Sequence, residues 1–307
     1  MISIIVPIYN EAKTLVALHE KLCQTLSKQS DNFEILFIND GSQDKTEEVA
    51  SRLQPLRLIS LQRNYGQTAA IDVGIHNAKG DIIVLIDADL QNDPRDILKL
   101  LAKLDDGYDV AVGWRTERHD YWTRVLFSKL ANLIARWLLN LPLHDFGCGL
   151  KVYRSKFIKD FRLWGEAQVF LPAVAKERGA RLVEVPIPHF VRETGVAKVR
   201  ISKMIRGIFD LLGIVFFVKY FARPLRFFGG VGLYMAVLSV VTFSAAVYLR
   251  IAGILNFTET PLPVIGSLFA ILAVLLVMLG LMAETMLRLH YSITNLSPYM
   301  IRSASEK

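Results

Sequence analysis

The chain has 307 residues, enough for one sizeable globular core or two modest units. Hydrophobic residues make up 52% and charged residues 21%, an average too apolar for an ordinary soluble enzyme, so the excess is expected in one region. The formal net charge of +7 suits anionic partners (phosphate groups, nucleic acid or an anionic membrane face), and two cysteines without metal-ligand spacing, Cys23 and Cys148, exclude a disulfide framework.

Residues 1 to about 190 alternate short β-rich runs with helical patterns, which reads as βαβ units on a mainly parallel sheet. The apolar run at residues 2–6 is too short for a signal peptide and lacks a basic flank, so the N-terminal part is expected in the cytoplasm. Strands are expected at residues 2–8, 33–39, 56–61, 81–86 and 110–113, with a later one at 181–188. Leu15, Leu18, Leu22 and Leu26 recur at helical spacing between the first two, and Asp93-Pro94 reads as an N-cap opening a helix through Leu104.

The apolar excess lies after about residue 203. Residues 227–249 and 262–283 form runs of 23 and 22 residues without a charge, each long enough at 1.5 Å per residue to cross a hydrocarbon core of about 30 Å. Only 12 residues, 250–261, connect them, so the two are expected to form a hairpin. Lys203, Arg206, Lys219, Arg223 and Arg226 precede the first run, Arg250 alone lies in the connection, and Arg288, Arg302 and Lys307 follow the second. That bias places both chain ends on the cytoplasmic side. Residues 203–222 are apolar but interrupted by Arg206, Asp210 and Lys219. They read either as interfacial amphipathic helices or as helices packed on the preceding domain. The glycines Gly229, Gly230 and Gly232 suit close packing against another helix, which leaves a homo-oligomer open.

The strongest chemical signal is Asp87-Ala88-Asp89, directly after the apolar strand 82–86. Carboxylates at the carboxyl end of a parallel strand stand where α/β sheets place ligands, and two of them one residue apart both reach a hard divalent cation whose other oxygens come from a diphosphate. Three earlier strand ends carry polar groups as well: Val6-Pro7-Ile8-Tyr9-Asn10-Glu11, Asn39-Asp40-Gly41-Ser42 and Arg63-Asn64-Tyr65-Gly66. Four strand ends in succession thus converge on one rim.

Those three segments, with Asp87-Ala-Asp-Leu-Gln91, resemble the family 2 glycosyltransferases of the GT-A nucleotide-sugar-binding fold, an α/β, Rossmann-like architecture. Within that family the chain is similar to the polyprenyl-phosphate glycosyltransferases, which include dolichol-phosphate mannosyltransferase and bactoprenol glucosyltransferases. The resemblance implies a cytoplasmic GT-A catalytic domain at 1–200, interfacial helices at 201–226 and a transmembrane hairpin with a cytoplasmic tail at 227–307. It implies that Pro7, Tyr9, Glu11, Asp40 and Asn64 line the nucleotide-sugar pocket, and that Asp87, Asp89 and Gln91 hold Mg²⁺ or Mn²⁺ on the diphosphate. Arg115 falls at an acceptor-side arginine. The segment from Asp145 to Arg154 resembles an acidic, glycine-containing stretch beside the sugar. The segment from Arg192 to Lys198 resembles a loop closing over donor phosphates, with Ala197 where a serine is common and Gln67 where a lysine is common.

A phosphate acceptor needs little activation, because its second pKa is about 6. Cations that hold two anions together matter more than a base, and Arg115, Arg118, Arg192 and Lys198 are the candidates. Asp145 reads either as an acceptor-side base or orienting group, or as a loop cap; His144 reads as a local hydrogen-bonding residue. Expected partners are a nucleotide sugar (UDP-glucose first, GDP-mannose second), polyprenyl phosphate and the bacterial inner membrane, with inversion at the anomeric carbon. A processive polysaccharide synthase would carry a Gln-x-x-Arg-Trp motif and more spans. A transport adaptor would carry charges inside its spans, and a nucleic-acid binder would not cluster its basic residues beside them.

Overall fold

The computed structural model describes residues 1–27, 32–116, 133–136, 138–163, 165, 167–188, 190, 213, 215–216, 220 and 223–294. The chain divides into two compact units, Met1–Ile214 and Val215–Lys307. Arg118, Arg192, Lys198 and nearly all of the stretch 201–222 lie outside the described residues.

In the first unit, strands β1 (Ile2–Ile8), β2 (Phe33–Asn39), β3 (Arg57–Ser60) and β4 (Ile82–Leu85) alternate with helices α1 (Leu15–Leu26), α2 (Thr46–Ala50) and α3 (Gln67–Asn77). Helix α4 (Asp96–Asp105), β5 (Val110–Arg115), β6 (Lys151–Arg154), α5 (Ala167–Glu177) and β7 (Leu182–Ile187) follow. All seven residues of β1 are buried, as expected of a central strand covered on both faces. The α1 leucines 15, 18, 22 and 26 are buried against this sheet in one core, together with Ile4, Val6, Phe37 and Val84.

The sheet order is β3-β2-β1-β4-β6-β5-β7. The expected parallel pairing holds for β1 with β2 and β4, for β2 with β3, and for β5 with β7. The departure is β6, which lies antiparallel between β4 and β5. Its first residue, Lys151, pairs with Leu85 at the end of β4, so β6 begins on the same edge where β1, β2, β4 and β5 finish.

Two local expectations shift. The helix after β4 starts at Asp96 rather than Pro94, because tight turns from Asp96 N to Asp93 O and from Ile97 N to Pro94 O precede it. Asp93 still caps locally, its carboxylate accepting the Arg95 N–H at 2.9 Å. Strand β5 runs two residues longer than expected, to Arg115, through its pairing with β7.

The second unit holds two helices, α6 (Pro224–Ile251) and α7 (Leu262–Thr294), each long and apolar enough to cross a membrane. Apart from Pro224 at the start of α6, their buried positions recur every seven residues: Gly232, Ser239 and Ala246 on α6, and Gly266, Ala273, Gly280 and Leu287 on α7. A spacing of seven keeps small residues on one seam of two shallowly crossing helices. The seam is antiparallel: Gly232 faces Ala273 and Val277, Ser239 Oγ donates to Gly266 O at 2.8 Å, and Gly280 faces Leu225 and Phe228. Gly232 is therefore used inside the chain, while most other side chains of both helices are exposed.

Candidate active site

The carboxyl ends of β1 to β4 are tied to one another by short hydrogen bonds. Asn10 takes a left-handed conformation (φ 55°), its N–H donates to Ser42 Oγ at 3.0 Å, and its side-chain oxygen accepts the Gln43 N–H at 2.8 Å. The loops after β1 and β2 are thus clasped together. Asp40, 3% exposed, accepts the N–H groups of Tyr65 and Gly66 at 2.7 and 2.8 Å, fixing the turn after β3. Gly41 between them has φ +66°, and a β-carbon there would overlap the Arg63 backbone, so no other residue fits the approach of these two loops.

These ends enclose a cleft of about 300 Å³ lined by Pro7, Ile8, Tyr9, Glu11, Asp40, Asn64, Gly66, Gln67, Asp87, Ala88 and Asp89. The five residues expected to line the nucleotide-sugar pocket stand on this wall, with Asp87 and Asp89 of the expected metal-binding set. The third of that set, Gln91, is not on it: its main-chain N–H donates to Asp89 at 3.2 Å and its main-chain carbonyl accepts the Phe190 N–H at 3.0 Å. Leu90 between them has φ 58°, a costly conformation for a branched residue, and it aims the Asp87–Asp89 turn at the cleft. At the rim, the exposed Tyr65 ring lies 4.6 Å below the Arg63 guanidinium, a flat surface suited to stacking.

Asp87 forms the floor. Its Oδ1 accepts a hydrogen bond from Gln67 Nε2 at 2.7 Å, and the Gln67 carbonyl accepts one from Gln168 Nε2 at 3.2 Å. On the other side the chain passes so close that a β-carbon on Gly149 would overlap the carboxylate. Burial and the neighbouring Asp89 push the Asp87 carboxyl up to about 6, against the opposing pull of Lys151, Arg115 and Gln67. A buried carboxyl that resists ionising beside a second acidic side chain is a donor set that a hard divalent cation relieves. Among the described residues no cluster of three or more His, Cys, Asp or Glu side chains forms a closed metal site. Asp87 and Asp89 therefore fit Mg²⁺ or Mn²⁺ only as an open site, with other oxygens supplied by a ligand.

Arg115 and Asp145 meet beyond Gly149. The Arg115 Nε and Nη2 atoms donate to the two Asp145 oxygens at 2.6 and 2.9 Å, a bidentate pair almost closed to solvent. Asp145 also accepts the Gly147 N–H at 3.1 Å. Both Asp145 oxygens are thus engaged by Arg115, an arrangement that suits an orienting and capping carboxylate. Glu184 on β7 holds the turn from beneath, accepting the Asp145 N–H at 3.1 Å and pairing with His144 Nδ1 at 2.7 Å. The His144 ring stacks on Trp114 at 4.5 Å.

Sequence reasoning did not single out Lys151, Gln168 or Glu184 as site residues. Lys151 is 4% exposed, and burial lowers its ammonium to about 8 while Cys148, Asp145 and Asp87 pull it back up. The one available signal was a lysine two residues after Gly147-Cys148-Gly149, in a segment already marked by Asp145.

The profile of glycosyl transferase family 2 matches residues 3–162. Dodecaprenyl-phosphate galacturonate synthase of Rhizobium johnstonii is 34% identical over 310 residues, covering 98% of this chain and 92% of the relative. Undecaprenyl-phosphate 4-deoxy-4-formamido-L-arabinose transferase of Edwardsiella ictaluri is 30% identical over 311 residues, covering 98% and 93%. Among solved structures, glucosyl-3-phosphoglycerate synthase from Mycobacterium tuberculosis with Mn²⁺ and uridine-diphosphate-glucose aligns over 71% of this chain and 78% of that one. Its TM-score is 0.52 at 18% identity, a likeness of fold. With a GT-A-like mixed sheet, a polar cleft at its strand ends and two relatives matched almost end to end, the chain belongs to glycosyltransferase family 2.

Proposed function

We propose that this protein transfers a sugar from a nucleoside diphosphate to a polyprenyl phosphate at a membrane surface. The observation that carries the reading is the cleft itself, where Asp87 and Asp89 stand on the floor and the loops after β1 to β3 form the walls. Both named relatives act, by their names, on polyprenyl phosphates, and both match along the length that includes α6 and α7.

The roles follow from position. Pro7, Tyr9, Glu11 and Asn64 contact the nucleoside, while Asp40 holds the wall they stand on. Asp87 and Asp89 hold a divalent cation, a group also bound in the mycobacterial structure of the same fold. When bound, that cation supplies positive charge against the diphosphate as the anomeric C–O bond breaks. Arg115, oriented by Asp145, is the acceptor-side arginine. Arg118, Arg192 and Lys198 belong to the same cationic set. The acceptor phosphate, already largely dianionic at neutral pH, attacks without a dedicated base, and the anomeric centre inverts. Helices α6 and α7 form a hairpin across the bacterial inner membrane, with the catalytic unit and both ends on the cytoplasmic side. The acceptor's tail stays in the bilayer and its headgroup at the interface.

Glucose from UDP-glucose is the first donor to test. The nucleotide derivatives of galacturonic acid and 4-deoxy-4-formamido-L-arabinose stand beside it because of the sugars in the relatives' names. The test is full-length protein incubated with undecaprenyl phosphate, Mn²⁺ and a panel of radiolabelled nucleotide sugars. One donor is expected to label the lipid; no labelled lipid with any donor would remove the proposal.

A further inference from the structure

Among the described residues, no carboxylate lies within ion-pair distance of the Lys151 ammonium. Its Nζ donates to three main-chain carbonyls, Phe146 O at 3.0 Å and Gln168 O and Val169 O at 3.3 Å each. All three belong to neutral groups, so the hydrogen bonds satisfy the ammonium's donors and leave its charge uncancelled. The residue stands at the start of β6, on the sheet edge where β4 ends, and the turn before it presses on Asp87 through Gly149. Asp87 and Asp145 both feel its charge, since each is among the groups that stabilise its protonated form. A buried charge is costly and is retained where it is held by fixed dipoles and acts on something nearby.

We infer that Lys151 is a fixed internal cation of the donor site, a positioning residue whose field favours the donor's diphosphate at the Asp87–Asp89 floor. It does not touch the reacting atoms in this arrangement. Its three carbonyl bonds lock the Phe146–Gly149 turn to the start of α5, so the charge neither moves nor needs to reorganise as negative charge builds on the leaving diphosphate. It also counters the mutual repulsion of Asp87 and Asp89 before any cation arrives. Gln67, which bonds Asp87 directly, is neutral and leaves that task to the cations Lys151 and Arg115.

This inference rests on the cleft being a nucleoside-diphosphate site, and the experiment separates the two. Full-length protein in detergent is prepared as wild type, Lys151→Met, Lys151→Gln (which keeps N–H donors without charge) and Lys151→Arg. UDP or GDP binding, according to the donor panel, is measured by calorimetry in EDTA, and Mn²⁺ binding to the nucleotide-free protein by electron paramagnetic resonance. A fixed cation attracts the anion and repels the metal ion. The neutral variants are expected to bind nucleotide roughly tenfold more weakly and Mn²⁺ roughly tenfold more tightly, the scale of a unit charge acting over about 10 Å at an effective dielectric near 20. Lys151→Arg should match wild type in both. A structural strut gives the same sign for both ligands, so joint weakening, or no change in either, overturns the inference. So does failure of both neutral variants to fold. A wild-type protein that binds neither ligand overturns the donor-site reading and this inference with it.

Discussion

At the scale of single residues, the cleft is built by carboxylates with different tasks. Asp40 is spent on backbone N–H groups, Asp145 on Arg115, and Asp87 with Asp89 is left for a cation. Replacing Asp89 by Ala is therefore expected to abolish transfer, by at least about 10²-fold on the scale of a removed electrostatic group, with the melting temperature unchanged. Full turnover by that variant in excess EDTA would remove the metal-assisted route. Gly149→Ala is a sharper test, because it adds no charge and only drives a methyl group into Asp87. We expect Mn²⁺ affinity to fall while nucleotide affinity in EDTA changes little. The pH dependence of cation binding also follows from Asp87. Its carboxyl is raised from 3.8 to about 6, so it is neutral below that pH and must lose its proton to bind a cation. Mn²⁺ affinity should fall about tenfold per pH unit below 6, and more Mn²⁺ should shift the acid limb of activity downward. The sign for stability is opposite to that of a salt-bridged acid. Ionising Asp87 destabilises the cation-free fold as pH rises from about 4 to 6, and added Mn²⁺ offsets the loss.

At the scale of elements, the most informative strand is β6, and it was not legible in the sequence. Lys151-Val-Tyr-Arg154 has only two apolar residues and opens on a charge, so neither alternation nor a buried run marks it. Its place between β4 and β5 is imposed by tertiary pairing on both sides, and that pairing carries Lys151 to the ligand edge. By contrast, β1 and β2 were legible because their apolar runs are buried on a central sheet, and the leucine stripe of α1 because it packs on them. The cleft wall was legible too, since Pro7, Tyr9, Glu11, Asp40 and Asn64 lie at or within four residues of the end of a strand that the sequence already marks. Gln168 and Glu184 were not, because each acts through another side chain or a backbone amide and no local pattern records that. In the second unit, the sequence showed the two apolar runs, but the seven-residue seam becomes meaningful only once α6 and α7 are antiparallel. Gly232→Leu should force them apart, because a side chain there meets Ala273 O and Val277 at about van der Waals contact or closer. Overpacking of this kind costs about 1–3 kcal/mol, read as a lower unfolding temperature in detergent; an unchanged transition would show that the seam does not hold the hairpin.

At the scale of the whole molecule, the chemistry and the apolar excess have one rationale if the acceptor is a lipid. An acceptor whose tail lies in the bilayer offers its phosphate only at the surface, so an enzyme held there meets it in two dimensions. The hairpin orientation decides which surface. Lys203, Arg206, Lys219, Arg223 and Arg226 precede α6, whereas Arg250 alone stands among residues 250–261 between the helices. Basic residues near span ends stay on the cytoplasmic side, so the connection is the part expected outside. A single cysteine reads this directly. Cys148 is buried, so Thr258→Cys in a Cys23→Ser background leaves one reactive thiol in the connection. A membrane-impermeant maleimide should label it in intact cells, whereas the Cys23 thiol of the unaltered chain should react only after the membrane is opened. Labelling of Cys23 from outside, with Thr258→Cys protected, would invert the hairpin. It would also move the catalytic unit away from cytoplasmic nucleotide sugars, leaving the proposed transfer without a donor.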